Sequence, residues 1–269
     1  MFEFLCPICK NPLVRTEKTY ICENSHSFDI AKSGYVNLLI SQKQQGHGDD
    51  KLMVQSRRDF LDKGYYAPLR NALCEQIQKY AKTGSRILDA GAGEGYYSAA
   101  VAEAAGDNCH IGAIDISKHA LTAINKRTKN IDCAVASIYD MPVADSSCQI
   151  ALNFFAPNCN EELFRILDNG GILIRAIPLR RHLFSLKSAV YDEPYENEPE
   201  SYDSPPFSLV SAKELRFRIN LDNNKDILSL FQMTPYYYKT SKKDYEKLLS
   251  LDELETEVEF CLLTYEKKL

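Results

Sequence analysis

Cys6-Pro-Ile-Cys9, then twelve residues, then Cys22-Glu-Asn-Ser-His26 gives the spacing C-x2-C-x12-C-x3-H at the start of the chain. Two short chelating pairs held apart by a hairpin-length insert are what a tetrahedral zinc site requires. Leu13, Val14 and then Thr19-Tyr20-Ile21 read as short strands around a polar turn, which would bring the pairs together like the knuckles of a zinc ribbon. Roughly forty residues bury little apolar area alone, so the metal is expected to supply folding free energy. Four protein ligands, Cys6, Cys9, Cys22 and His26, leave no open position for water, which favours a structural ion over a catalytic one. Cys74, Cys109, Cys133, Cys148, Cys159 and Cys261 are scattered and read as packing residues. His47, His110 and His119 have no partners at ligand spacing.

The remaining length decides what the module is attached to. With 269 residues, 45% of them apolar, there is material for one large domain besides the module. No run approaches the roughly 18 apolar residues of a membrane span, and Met1-Phe2-Glu3-Phe4 has no basic-then-apolar leader pattern. A cytoplasmic protein without membrane contact is expected, and nine cysteines there seldom form disulfides. The net charge of −5 argues against a chain that holds nucleic acid by uniform positive charge. Two local basic patches are nevertheless expected. Residues 51–70 carry Lys51, Arg57, Arg58, Lys63 and Arg70 against Asp59 and Asp62, and residues 175–187 carry Arg175, Arg180, Arg181 and Lys187 with no acid. The acidic, proline-interleaved stretch from Asp192 to Pro206 reads as an exposed loop.

After a polar stretch, Gln42 to Asp50, comes a helical segment, and Pro68 opens a second helix with apolar Leu69, Leu73, Ile77 and Tyr80. From Ser85 strands and helices alternate: strands at Arg86–Asp89, Ile111–Asp115, Cys133–Ala136, Ile150–Phe155 and Ile172–Ile177, with helices near 97–105, 117–129 and 161–167. Repeated βα units predict a parallel sheet with helices on both faces. The tail reads as a strand around Leu215–Leu221, two short helices and a last strand near Val258–Tyr265. The fold class is therefore α/β: a Rossmann-like, doubly wound, mostly parallel seven-stranded sheet. Three regions are expected: a zinc-binding module (1–40), a linker with a helical segment (41–67) and the sheet domain (68–269).

Asp89-Ala-Gly91-Ala-Gly93-Glu94-Gly95 joins the first strand of the alternation to its helix. Such a turn lets a ligand approach backbone N–H groups, here around Gly91, Gly93 and Gly95. A dinucleotide pyrophosphate would meet the carboxylates of Asp89 and Glu94, and Tyr96 stands where the dinucleotide fingerprint has its last glycine. A cationic nucleoside with an amino-acid tail fits better: Asp89 can accept from its ammonium, and Asp115, closing the second strand, from its ribose hydroxyls. That describes S-adenosylmethionine, with Ala136 and Ser137 beside the adenine.

Together with these features, several longer stretches resemble the RlmA family of 23S rRNA guanine-N1 methyltransferases. They include His26-Ser-Phe28-Asp29 through Gly34-Tyr35-Val-Asn37-Leu, Arg57-Arg58-Asp-Phe60 through Gly64-Tyr65-Tyr66-Ala-Pro68-Leu69-Arg70, Phe155-Ala156-Pro157, Arg181-His182-Leu183 and Met233-Thr234-Pro235. The resemblance implies a zinc-ribbon RNA-recognition module on a Rossmann-like methyltransferase, usually a homodimer, acting on N1 of a guanine in a domain II hairpin. It implies that Cys6, Cys9, Cys22 and His26 hold zinc and that Tyr66, Gly93, Glu94 and His182 contact the cofactor. The family has two branches that modify nearby guanines. Asn153-Phe154-Phe155-Ala156-Pro157 looks like the tylosin-resistance branch, whereas Arg181-His182-Leu183 with Leu186-Lys187 looks like the enterobacterial branch, which we favour.

Guanine N1 lies on the Watson–Crick edge, so the base must be unpaired or turned out before a methyl reaches it. Asn153, Phe154 and Phe155 end the fourth strand beside the methyl: one ring would stack on the base, and Asn153 or the Ala156-Pro157 backbone would read its edge. Arg57, Arg58, Arg180 and Arg181 are candidate RNA phosphate contacts. The competing readings are a small-molecule methyltransferase, for which a zinc ribbon is a poor fit, and a non-catalytic RNA-binding protein that keeps the cofactor fold.

Overall fold

The computed structural model describes residues 1–40 and 48–268; His47 and the stretch 42–47 lie outside the described residues. Strands β1 (Val14–Arg15), β2 (Thr19–Ile21) and β3 (Ser27–Asp29) form a small antiparallel sheet, and β4 (Tyr35–Asn37) leaves it. Helix α1 (Lys51–Leu61) is capped by Asp50, whose carboxylate accepts from Met53 N at 2.8 Å. Helix α2 (Ala67–Tyr80) has Pro68 in its first turn, where a missing N–H breaks no bond. The alternation then runs β5 (Arg86–Ala90), α3 (Tyr96–Ala105), β6 (His110–Asp115), α4 (Lys118–Arg127), β7 (Asp132–Val135), β8 (Cys148–Phe154), α5 (Asn160–Ile166) and β9 (Leu167–Pro178). It closes with α6 (Phe184–Val190), β10 (Ser208–Leu221), α7 (Asn224–Gln232), α8 (Lys242–Leu248) and β11 (Leu254–Glu266).

The large sheet has the order β10-β11-β9-β8-β5-β6-β7-β4. Pairs β10/β11 and β11/β9 are antiparallel and the rest parallel. It therefore has eight strands, one more than the alternation from Ser85 supplies. The eighth comes from the N-terminal module: β4 lies parallel to β7, with Tyr35 opposite Cys133. Only Val36 of its three residues is buried, too short a run for any periodicity to show.

The two faces are covered unequally. On one, Ile87, Ile111, Leu152, Ile174 and Phe260 pack against α2, α3, α4, α6 and α7. On the other, Leu88, Ile114, Ala151, Leu173 and Leu263 meet α5 and the zinc-ribbon residues Phe2, Phe4, Leu13 and Tyr20. The ribbon thus shares its core with the sheet, which gives a small module the apolar partner it lacks alone. Gly112 on β6 shows how closely: a Cβ there would stand 2.7 Å from the Phe2 ring. Asp132, at the start of β7 and 9% exposed, ties the ribbon down. It accepts from Phe2 N at 2.7 Å, from Arg15 Nη1 at 2.6 Å and from the Tyr20 hydroxyl at 3.3 Å.

The expected basic patches are not formed. Strand alternation buries Arg175, Lys187 is buried with its Nζ on Tyr195 O and Asn197 Oδ1, and Arg180 and Arg181 both pair with Glu196 of the acidic loop. In the first run Arg57 pairs with Asp49, Arg58 with Asp62, and Lys63 with Asp226. Among the described residues, no helix is long and apolar enough to cross a membrane.

Replacing Asp132 by Ala strands three buried or half-buried donors at once. The variant is expected to lose roughly 2–4 kcal/mol of stability in denaturant melts, and limited proteolysis should cut first in the ribbon.

Candidate active site and metal centre

The ribbon brings its four candidate ligands to one point, with their ligand atoms within 4.8 Å of one another. Cys9 Sγ and Cys22 Sγ are 3.6 Å apart, and His26 Nδ1 lies 3.5 Å from Cys6 Sγ and 3.4 Å from Cys22 Sγ. Tetrahedral zinc, with bonds of about 2.3 Å to sulfur and 2.0 Å to nitrogen, separates its ligand atoms by roughly 3.5–3.8 Å. The donor set therefore fits that ion. The N–H of Asn11 brings the Cys9 thiol down to about 6, toward the thiolate a metal takes, while burial raises that of Cys6.

At the other end of the sheet, the C-terminal tips of β5 to β9 frame a cleft of about 1480 Å³. A single-ligand pocket is usually 300–1,000 Å³, so there is room for a nucleoside cofactor and a base side by side. The glycine turn forms one wall. Gly91 (φ 88°) has a left-handed backbone, and a Cβ on it would stand 2.4 Å from the Ala156 methyl, so this position locks the β5 turn against the loop after β8. Gly95 lies outside the cleft lining; its missing Cβ lets α3 close on Ile124 of α4.

Asp89, Glu94 and Asp115 differ in what they offer a ligand. Asp89 is buried and, among the described residues, bonded only to the Ser98 hydroxyl at 2.6 Å; its desolvation raises its carboxyl to about 6. Asp115 accepts from Gly93 N at 2.8 Å and Ser117 N at 2.7 Å, which orients both oxygens, while burial raises its pKa. Glu94 is 1% exposed and paired with Arg127 at 2.6 Å. A preference for a cation thus rests on Asp89 and Asp115, since Glu94 is already neutralised. Arg57 enters the same wall: its Nη1 lies 3.3 Å from where a Cβ of Gly93 would be, and it pairs with Asp49. Its guanidinium is turned into the cleft.

Tyr66 and His182 form the opposite wall with Phe260, whose ring centroid is 5.0 Å from that of Tyr66 and 4.4 Å from the imidazole. Burial pushes His182 down to about 3, so the ring is neutral at working pH. Its Nδ1 accepts from Glu259 N at 3.2 Å, which leaves its one N–H at Nε2. Ala136 and Ser137 line the cleft beyond Asp115.

The two phenylalanines at the end of β8 separate. Phe154 is buried in the core, whereas Phe155 is 49% exposed at φ 55°, a costly backbone for a bulky residue, with its ring at the cleft. Asn153, beside them, donates from Nδ2 to Pro157 O at 3.1 Å, which fixes its amide and leaves Oδ1 as an acceptor. Arg58, Arg180 and Arg181 lie outside the lining. Sequence reasoning placed Arg175 only in a charge run, yet it lines the cleft, as do Asp49 and Tyr236. A lone cation inside the apolar strand Ile172–Ile177 was the available signal for Arg175.

Residues 4–46 match the model of the RlmA N-terminal zinc ribbon, and residues 81–243 match a methyltransferase domain. A 23S rRNA (guanine(748)-N(1))-methyltransferase of Streptomyces fradiae is 34% identical over 226 residues, 81% of this chain and 80% of that protein. The chain belongs to the RlmA-type 23S rRNA (guanine-N1)-methyltransferases. The YxjB protein of Bacillus subtilis strain 168, provisionally named for the same activity, is 30% identical over 89% of this chain and 88% of its own length. Among solved structures, the YcgJ protein of Bacillus subtilis superposes with a TM-score of 0.50 at 12% identity, covering 74% of this chain and 99% of that one. That likeness concerns the sheet fold shared by methyltransferases of this class.

The state of Asp89 has a measurable consequence for this RlmA-type chain. A carboxyl near 6 when folded and about 3.9 when unfolded holds its proton more tightly in the native state. It therefore favours folding below about pH 4, and that contribution is lost as pH rises through 6. Asp89→Asn is expected to raise ligand-free stability at pH 7 by roughly 2–3 kcal/mol and to flatten the stability curve between pH 4 and 6, read by denaturant titration.

Proposed function

We propose that this chain methylates N1 of a guanine in a domain II hairpin of 23S rRNA, with S-adenosylmethionine as methyl donor and a structural zinc ion in the ribbon. One observation carries the reading: the Asp89–Asp115 cradle and the exposed Phe155–Asn153 corner open into a single cleft. When bound, S-adenosylmethionine supplies a methyl group activated on a sulfonium. Asp89 would accept from its ammonium, Arg57 would face its carboxylate, and the free lone pairs of Asp115 would take the ribose hydroxyls. Tyr66 and His182 would close the wall beside the cofactor.

Phe155 stacks on the extruded base, and Asn153 Oδ1 accepts from its edge. Arg180 and Arg181, on the exposed turn after β9, exchange Glu196 for RNA phosphates, and the ribbon holds the hairpin in register. Arg181-His182-Leu183 supports the enterobacterial-type target. The identity with the Streptomyces fradiae enzyme favours, as a second reading, the guanine in that enzyme's name.

The decisive test is tritium transfer from labelled cofactor to unmodified 23S rRNA, followed by primer extension, which stops at a base whose Watson–Crick edge is blocked. One new stop at a single domain II guanine is expected; label on small molecules alone, or none on rRNA, overturns the reading. Phe155→Ala should lower kcat/KM for rRNA roughly 10- to 100-fold and leave cofactor affinity by calorimetry unchanged.

A further inference from the structure

Strand β9 runs through the sheet interior as Ile172-Leu-Ile-Arg-Ala-Ile177, a run in which Arg175 is the lone charge. Alternation places Arg175 on the face of Leu173 and Ile177, in register with Asn153 on β8 and Leu263 on β11. It is 8% exposed and lines the cleft, and its Nε is buried without a partner. Among the described residues, its guanidinium forms no ion pair and donates no hydrogen bond.

The neighbouring polar groups are committed elsewhere or do not engage it. Asn153 Nδ2 donates to Pro157 O, the Tyr265 hydroxyl on β11 donates to Tyr202 O, and His182 is held neutral by burial. Glu200, from the acidic loop, reaches the cleft without bonding to it. A guanidinium stays charged at every working pH, and burying it unpaired opposes folding. An apolar residue is the ordinary occupant of such a strand position. The cation is therefore aimed at a group that arrives in the cleft.

We infer that Arg175 takes the 6-oxo oxygen and N7 of the target guanine and stabilises the base as its N1-deprotonated anion. This rests on the guanine-N1 reading above. The planar fork matches those two acceptors, the commonest specific arginine contact to guanine, and leaves N1 free. Adenine would present an amino donor to the same fork and is rejected.

Chemically, N1 of neutral guanine has no in-plane lone pair to give until its proton leaves. The proton passes to water, and the negative charge is shared between N1 and O6, where Arg175 stands. The N1 pair then forms the N–CH3 bond while the S–CH3 pair returns to sulfur, leaving neutral thioether and N1-methylguanine. Arg175 stabilises the charge that develops before transfer.

The test is single-turnover methylation of 23S rRNA by the full-length protein at saturating rRNA and cofactor from pH 6 to 10, comparing wild type, Arg175→Met and Arg175→Lys. Arg175→Met should fold and bind S-adenosylmethionine as wild type does, by melting and calorimetry. Its rate at neutral pH should fall roughly 10²- to 10³-fold, and its rate should go on rising to higher pH than in wild type. Arg175→Lys should recover part of the rate. A wild-type rate and pH profile in Arg175→Met overturns the assignment, and so does a loss of cofactor affinity alone. A wild-type protein that does not modify guanine N1 overturns the functional reading, and the assignment with it.

Discussion

Charge held out of water at the strand tips is the constraint around which the rest of this molecule is arranged. Among the described residues, Asp89 has a single hydroxyl partner and no cation, and Asp115 is bound by backbone N–H groups alone. Glu94, farther along the same turn, is neutralised by Arg127. The distinction is chemical: a carboxylate paired within the fold is structural, while one left with spare lone pairs and poor solvation is a receptor for a positive ligand. Arg175 is the cationic counterpart on β9, and it lines the same cleft.

The parallel sheet makes this arrangement rigid. Asp89, Asp115, Ala136, Asn153 and Arg175 lie on or just after adjacent strands, so hydrogen-bonded register sets their spacing. The zinc ribbon is a second use of the same sheet. Its aromatic residues cover a face that the helices leave open, and Asp132 fixes it there. The ribbon is in this way held at a constant distance from the cleft by packing.

Much of this was legible from residues alone. The order from β5 to β9 follows from apolar runs bounded by glycine, proline and polar turns, and the Cys and His spacing anticipated the cluster that the fold assembles. What escaped was tertiary. Strand β4 is too short for a period to show, and its pairing with β7 depends on a loop brought back from the ribbon. Arg57 and Arg58 are neighbours in sequence, yet one enters the cleft and the other pairs with Asp62 along the helix. Arg175 was visible as a cation in an apolar strand, but counting it within a run of positive residues hid the two-residue alternation that buries it. Helix α6 opens at Leu183 in a left-handed conformation with no capping side chain, so it carries no start signal.

The edges of the sheet are protected in different ways. β10 is lined with Lys213, Glu214, Arg216 and Arg218, a charged border that discourages further strand addition. β7 has no such border; its outer backbone groups are taken by Tyr35, Val36 and Asn37 of the ribbon. Metal loss that loosened the ribbon would bare those groups together with the apolar surface beneath Phe2 and Phe4. Zinc starvation would then reach this protein as self-association through an uncapped strand.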